Sequence, residues 1–178
     1  MALTATIYKA DIQISDMDRH YYAKHNLTVA QHPSETDRRM MLRLLAFTLH
    51  ADEQLQFTKG LSTDDEPDLW KKSLSDEIEL WIELGTPDEK RIKKACGQAQ
   101  QVIVYAYNQR SASVWFEKNQ NALQRYKNLN IHFIEDETAE AIEKICQRNM
   151  QLQVTIQDSE VYFGDNDNNI AITKEVWI

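Results

Sequence analysis

The sequence predicts an α/β protein with a mixed central β-sheet flanked by helices. Apolar and polar residues alternate over residues 4–15, and apolar residues recur at helical spacing after Pro33. An apolar run at residues 101–107 indicates a buried strand between two helices. A chain of 178 residues, 42% of them hydrophobic, is long enough for one core. No linker or low-complexity stretch divides it, so we expect a single domain over residues 1–178.

The composition excludes several classes of protein. Gly 4 and Pro 3 are too few for a collagen-like or disordered chain. With 28 acidic and 20 basic residues the net charge is −8, which excludes a broad basic face for coating nucleic acid and leaves only a local contact. No apolar run approaches the roughly 20 residues that cross a bilayer, and residues 1–11 hold no signal-peptide core. We therefore expect a cytoplasmic monomer without a membrane segment.

The cysteines and histidines do not indicate a zinc site. The two cysteines, Cys96 and Cys146, lack the paired spacing of zinc ligands and fall at apolar positions of predicted helices, so we expect buried, reduced thiols. The five histidines are scattered, and no two share a helix face at a spacing of four residues.

The first third of the chain predicts a hairpin followed by a helix. Strands at residues 4–15 and 21–31 flank a polar turn. Ser34 and Asp37 resemble a capping box, and the amphipathic pattern that follows predicts a helix to about Ala51.

The middle and the end of the chain alternate strands and helices. A short strand at 55–58 and an acidic loop at 62–66 precede a hairpin at 68–84. Thr86, followed by proline, predicts the N-cap of the next helix, because proline is favoured at the first helical position. The later elements are a strand at 101–107, a helix carrying Trp115 to Tyr126, a strand at 130–135, a helix at 137–149, and short strands at 152–156, 161–163 and 170–173.

The hairpin at 68–84 predicts a pair of carboxylates. If residues 73–76 form its turn, Trp70 opposes Glu79, and Asp68 and Glu83 become diagonal neighbours on one face. Cα atoms of diagonal neighbours lie roughly 7–8 Å apart, so both side chains can lean onto one ion. Mg²⁺, which prefers oxygen ligands, is the natural occupant. The alternative is an ordinary solvated strand face, and a one-residue slip would separate the two acids.

Cations crowd the helix after this hairpin. Arg91 and Lys94 lie on a stripe beside the apolar one, so that one of them can reach back toward Glu83. Together with the helix start they form a candidate local phosphate site, and the alternative is a charged solvent face.

A third acid, Glu35, begins the first long predicted helix, with Arg38 and Arg39 one turn on. Its ordinary role is an ion pair within the helix. The alternative is a contribution to the metal shell.

Several stretches resemble the YaeQ family, and the resemblance covers essentially the whole chain. They are HPSET at 32–36, PDLW at 67–70, ELWIELGTP at 79–87, RIKKAC at 91–96 and VYAY at 104–107. The resemblance implies a restriction-endonuclease-like fold, a variant of the PD-(D/E)XK nuclease superfamily. Its core has the order helix, three strands, helix, strand, here with an added N-terminal β-hairpin and C-terminal strands.

The resemblance also implies roles for individual residues. Asp68 and Glu83 match the two acids that bind Mg²⁺, or Mn²⁺, and Glu35 matches a first-helix acid that some members use. The lysine that normally follows the second acid by two residues falls on Gly85, which has no side chain. Either a helix cation replaces it, with Lys94 the first choice and Arg91 the second, or the site is inactive.

Two functions follow as expectations. The first is Mg²⁺-dependent phosphodiester hydrolysis of nucleic acid, with Asp68 and Glu83 holding the metal and Lys94 or Arg91 stabilising the transition state. The second is a catalytically inactive module on the same fold that binds nucleic acid or a protein partner. Trp70 and Trp81 could stack on a base, although tryptophans in strands more often pack in the core.

Overall fold

The strands form two sheets, and the chain divides into two compact units that each contain one of the sheets. The structure, a computed structural model, describes residues 4–59, 61 and 63–178; residues 1–3, Gly60 and Ser62, the first residue of the predicted acidic loop, lie outside the described residues. The first unit runs to Thr48 and resumes over Glu137–Thr173. The second comprises Leu49–Asp136 and Lys174–Ile178.

The first unit is built on the predicted N-terminal hairpin. Its elements are β1 (Thr6–Asp16), β2 (Tyr21–Gln31), α1 (Asp37–Leu49), α4 (Asp136–Lys144), β8 (Asn149–Gln157), β9 (Glu160–Gly164) and β10 (Asn169–Ala171). The five strands form one sheet of order β10-β9-β8-β1-β2, in which β1 pairs antiparallel with β2 and parallel with β8.

Alternation fixes which face of β1 is buried. Ile12 and Ile14 are inaccessible to solvent, while Gln13 between them is exposed and Asp11 and Ser15 on either side are half-buried. Because side chains alternate across a strand, this pattern sets the register with both neighbours. The predicted strand 21–31 is confirmed, and the predicted strand 4–15 begins and ends within two residues of β1.

The start of α1 differs from the predicted capping box. Thr36, rather than Ser34, caps the helix, since its hydroxyl accepts a hydrogen bond from the Arg39 backbone N–H at 3.1 Å. Ser34 is bound instead to the ring of His32, at 2.6 Å. The helix therefore begins at Asp37, and it ends at Leu49, two residues before the predicted end.

The second unit holds a six-stranded sheet and two helices. Its elements are β3 (Leu55–Phe57), β4 (Leu69–Lys72), β5 (Ile78–Leu84), α2 (Glu89–Gln98), β6 (Ala99–Ala106), α3 (Gln109–Leu123), β7 (Leu129–Ile134) and β11 (Lys174–Val176). The strand order is β11-β7-β6-β5-β4-β3. Strands β5, β6 and β7 are parallel and are joined by helices, whereas β3, β4 and β11 pair antiparallel.

One face of this sheet packs against α2 and α3. Trp81, Ile92, Val104 and Ile131 are buried in the same cluster, with Trp115 of α3 partly buried against it. The alternation of β5 directs Trp81 to this face, together with Glu83. A polar side chain is thereby carried into an apolar layer.

The prediction of one mixed sheet is wrong, while the α/β class is confirmed. The N-terminal hairpin pairs with β8 rather than with β3 to β7, so the strands divide into two sheets. The helix predicted at 137–149 ends at Lys144, because Asn149 already begins β8. Strand β11 was not predicted. No helix within the described residues is both long and apolar enough to span a bilayer.

Candidate metal centre

The hairpin of β4 and β5 differs in register from the prediction but keeps the acids on one face. Trp70 pairs with Trp81, two residues from the predicted partner Glu79. The turn takes one residue more than predicted, and a β-bulge near Lys72 adds another. Because side chains alternate between faces every residue, a register shift of two residues leaves each side chain on the face that was predicted for it. Leu69 pairs with Ile82, so the register continued by one residue sets Asp68 directly against Glu83, and the two acids are not diagonal neighbours.

The observed register also makes Trp70 and Trp81 direct neighbours across the two strands. Trp81 is buried in the core, and Trp70 meets it edge-on at 6.1 Å between ring centroids. Lys72 covers the Trp70 ring at 4.0 Å. Both indoles are thus packed against protein, which is the ordinary role of tryptophans in strands.

Asp68 is fixed by hydrogen bonds just before the start of β4. Its side chain is 2% exposed, and its Oδ2 accepts the backbone N–H of Leu84 at 2.8 Å. Its own N–H donates to the carbonyl of Ile82 at 3.0 Å, and the preceding carbonyl of Pro67 accepts the hydroxyl of Thr58. The carboxylate is therefore tied to the neighbouring strand.

Glu83 is a buried carboxylate with two donors on the same oxygen. It is 4% exposed, and Oε1 accepts the indole N–H of Trp81 at 2.9 Å and the guanidinium Nε of Arg91 at 2.8 Å. Burial, and then the negative charge of Asp68, raise the pKa of Glu83 to about 7, although Arg91 and Trp81 act in the opposite direction. The two donors on Glu83 therefore do not offset the effects of burial and of the neighbouring Asp68 charge on its pKa.

Arg91, not Lys94, reaches Glu83. The other two guanidinium nitrogens of Arg91 donate to backbone carbonyls: Nη1 to that of Asp64 at 2.9 Å and Nη2 to that of Glu66 at 2.7 Å. Lys94 instead binds the exposed Asp65 at 2.7 Å, whose pKa it lowers through a hydrogen bond. The cations of α2 therefore hold the acidic loop as well as the second acid.

The start of α2 differs from the prediction by two residues. Asp88 rather than Thr86 is the N-cap, and its Oδ1 accepts the backbone N–H of Arg91 at 2.8 Å. This cap, with the helix beginning at Glu89, sets the position from which Arg91 meets the sheet.

Gly85, where the sequence resemblance leads one to expect a lysine, lies at a turn. Its φ of +99° is one that residues with a Cβ rarely adopt, and its N–H donates to the carbonyl of Tyr105 at 2.9 Å. The chain turns away from the sheet here, so a side chain at this position would strain the turn.

Glu35 lies in the first unit, whereas the other predicted site residues belong to the second. Its Oε1 accepts Arg43 Nη2 at 2.6 Å, and its Oε2 accepts Arg43 Nε at 2.9 Å and Arg39 Nη1 at 2.7 Å. Arg43 is buried and also donates to the carbonyl of Ala30 at 3.0 Å. This is the bidentate ion pair that a buried arginine requires.

The donor set at Asp68 and Glu83 suits a hard cation. Both side chains offer carboxylate oxygens, which Mg²⁺ and Mn²⁺ prefer. Within the described part of the chain no group of three or more His, Cys, Asp or Glu side chains is placed to hold a metal ion. An ion held by these two acids would therefore draw its other ligands from water or substrate, as Mg²⁺ commonly does.

Sequence reasoning missed a buried polar group on the other face of the second sheet. The ring of His50 is bound to the hydroxyl of Tyr105 at 2.5 Å, and Tyr105 stacks on His132 at 5.4 Å between centroids. Burial raises the pKa of Tyr105 and lowers that of His132 to about 4. His50 and Tyr105 are far apart in the chain, and no spacing signal links them.

The fold and the site define a class: a two-sheet α/β protein with a buried pair of acids beside a helix arginine. The sequence profile of the family described as "YaeQ protein" matches residues 1–174. The chain belongs to the YaeQ family.

Relatives in bacteria are similar over their whole length. The chain is 48% identical over 177 residues to "Uncharacterized protein YaeQ" of Escherichia coli (strain K12), which covers 99% of this chain and 98% of the relative. The crystal structure of the YaeQ protein from Xanthomonas axonopodis pv. citri is 47% identical with a TM-score of 0.93, covering 98% of both chains. That of the YaeQ protein from Pseudomonas syringae is 35% identical, also with a TM-score of 0.93, covering 98% of this chain and 96% of that one.

Proposed function

We propose that this protein is a metal-dependent phosphodiester hydrolase that binds Mg²⁺ or Mn²⁺ through Asp68 and Glu83 and acts on nucleic acid. The observation that carries the proposal is the pair itself: two buried carboxylates on adjoining strands, one of them with a pKa raised to about 7 by burial and by the other. A divalent cation relieves such repulsion better than a single arginine does.

The order of elements supports the same class. The series α1, β3, β4, β5, α2, β6 is the helix, three strands, helix, strand order of the PD-(D/E)XK core. We assign the two acids by that likeness to the metal positions, just before the start of β4 and near the end of β5.

The residues of the chain divide the work between them. A bound divalent ion supplies Lewis acidity and a lower pKa for water. Asp68 and Glu83 hold the ion, and Arg91 keeps the Glu83 carboxylate in place through Nε. Arg91 also brings a fixed positive charge to the site, which favours a phosphate group there.

A second candidate function is a binding module without turnover. The turn at Gly85 leaves no place for the strand lysine, and two of the Arg91 donor groups are engaged by the carbonyls of Asp64 and Glu66. Such an arrangement keeps the acid pair and the fold but lacks a cation aimed at substrate. A module of this kind would bind nucleic acid or a protein partner.

Calorimetry and a cleavage assay test the proposal together. We expect the wild-type chain to take up Mn²⁺ and to cleave labelled DNA or RNA, and Asp68→Asn to lose both. The matched control is Glu79→Gln, which removes an acid from β5, the strand that carries Glu83, at a half-buried position near Lys71. Full cleavage by Asp68→Asn would reject the hydrolase. Binding of nucleic acid with no cleavage by the wild type would establish the module.

The metal role predicted for Glu35 has its own test. If Glu35 contributes to the metal shell, Glu35→Gln weakens Mn²⁺ uptake. If it serves only the arginines that bind it, the affinity for Mn²⁺ is unchanged and the free energy of unfolding falls.

A further inference from the structure

A cleft of about 600 Å³ lies between α2 and α3 in the second unit. It is lined in part by Thr86 and Asn108, which follow the parallel strands β5 and β6, and by Val114, Trp115 and Lys118 of α3. Its volume is in the range of ligand sites, about 300–1,000 Å³. The carboxyl ends of β5 and β6 therefore both lie beside this cleft, and β5 is the strand that carries Glu83.

The lining of the cleft includes an oriented aromatic ring and an exposed aliphatic side chain. Trp115 is half-buried, and its indole N–H donates to the carbonyl of Pro87 at 2.7 Å, which holds the ring in place. Val114 is 64% exposed. An apolar surface left open beside a fixed indole is suited to the flat face of a ring.

Two cations line the same cleft. Among the residues that the structure describes, neither Arg110 nor Lys118 has an ion-pair partner. Two acids, Asp88 and Glu89, also line the cleft, but neither pairs with these cations: Asp88 accepts the Arg91 N–H, and Glu89 accepts the hydroxyl of Tyr126 at 2.5 Å. Two cations that no acid holds in an ion pair are free to contact a ligand, and beside an apolar surface they favour one with a flat, apolar part and an anionic group.

We propose that this cleft binds single-stranded nucleic acid, with a base against Trp115 and Val114 and adjacent phosphates at Arg110 and Lys118. The proposal rests on the proposed function, whose substrate class it narrows. A duplex offers its phosphates to such a site but keeps its base faces stacked, whereas an unpaired base can lie on an indole.

The salt dependence of binding tests the two cations. The probe is a fluorescein-labelled oligothymidylate of about twelve nucleotides, within the site sizes of single-strand binders, followed by anisotropy in EDTA. Arg110→Gln/Lys118→Gln should lower the affinity and reduce the slope of log K against log salt by about 1.4, that is, by two phosphate contacts. The charge-matched control, Lys9→Gln/Lys24→Gln, removes two exposed lysines of the first unit and should leave both unchanged.

A matched pair of variants tests the apolar part of the cleft. Val114→Glu should lower the affinity at least about tenfold, because it places a charge where the base would lie. Val176→Glu, at a side chain that is 69% exposed, should change it little. Both positions are exposed enough for the variants to fold.

Further arms separate this inference from the proposed function. The wild type should bind the oligonucleotide in EDTA as well as in Mn²⁺, because the cleft residues and not the metal hold it. Oligonucleotide binding without Mn²⁺ uptake would reject the hydrolase and keep the cleft. Equal binding of the fully paired duplex or of thymidine monophosphate, or unchanged binding by both cleft variants, would overturn the assignment to single strands.

Discussion

The Nε atom of Arg91 lies 2.8 Å from Oε1 of Glu83, and this contact joins α2 to the buried end of β5. It does not cancel the cost of burying the carboxylate, because burial and Asp68 still raise the pKa of Glu83 to about 7. The acid pair is therefore poised to exchange a proton, or a cation, near neutral pH.

Removal of the arginine should raise the pKa of Glu83 further. In Arg91→Met the carboxylate loses a positive charge and a hydrogen bond, both of which lower its pKa. Carbon-13 NMR of the side-chain carboxyl measures the change. Lys94→Met serves as the control, since Lys94 binds Asp65 and should leave the titration of Glu83 where it is.

Removal of the neighbouring acid should move the same pKa downward. Asp68→Asn deletes the charge that acts after burial as the second cause of the raised pKa, while the amide oxygen can still accept the N–H of Leu84. The same NMR titration tests this, with Glu79→Gln as the control. An unchanged pKa in Asp68→Asn would show that the two acids do not interact.

The stability of the protein should fall as pH rises through the window set by Glu83. The folded state binds its proton up to about pH 7 and the unfolded state only to about 4.5, so folding is favoured by protonation in between. Across this window the free energy of unfolding should fall by about 3 kcal/mol in total, at 1.36 kcal/mol for each unit by which the two pKa values differ. Urea unfolding of the wild type and of Glu83→Gln at pH 5 and pH 8 measures it. The loss specific to the wild type should be absent from Glu83→Gln, and parallel profiles would contradict the expectation.

The buried ion pair of the first unit should be structural. Arg43→Met leaves Glu35 buried with one arginine fewer, and we expect the free energy of unfolding to fall by about 3 kcal/mol. Arg38→Met breaks the more exposed pair with Glu143 and should cost no more than about 1 kcal/mol. Equal losses in the two variants would argue against a special role for the buried pair.

Patterns local to the chain predicted most elements and the acid pair. Alternation predicted β2, and the spacing along α2 predicted that a cation reaches Glu83, because both depend on neighbouring residues. The register at Trp70 was wrong because a bulge leaves no clear mark in the sequence, yet the offset of two kept Asp68 on the face of Glu83.

Features that depend on distant pairing escaped prediction. The division into two sheets follows from the parallel pairing of β1 with β8, which no spacing encodes. The carbonyls of Asp64 and Glu66 that bind Arg91 are backbone groups, present at every position, and only the fold selects them. The cleft beside Trp115 is likewise made by two helices that meet in space.

Crystals soaked with Mn²⁺ at pH 8, where Glu83 is ionised, give the most direct test of the shared cation. We expect an anomalous peak for Mn²⁺ at about 2.0–2.3 Å from a carboxylate oxygen of Asp68 and from one of Glu83. Crystals of Asp68→Asn should lack this peak. Wild-type crystals in which both side chains are well ordered and no anomalous peak lies between them would contradict it.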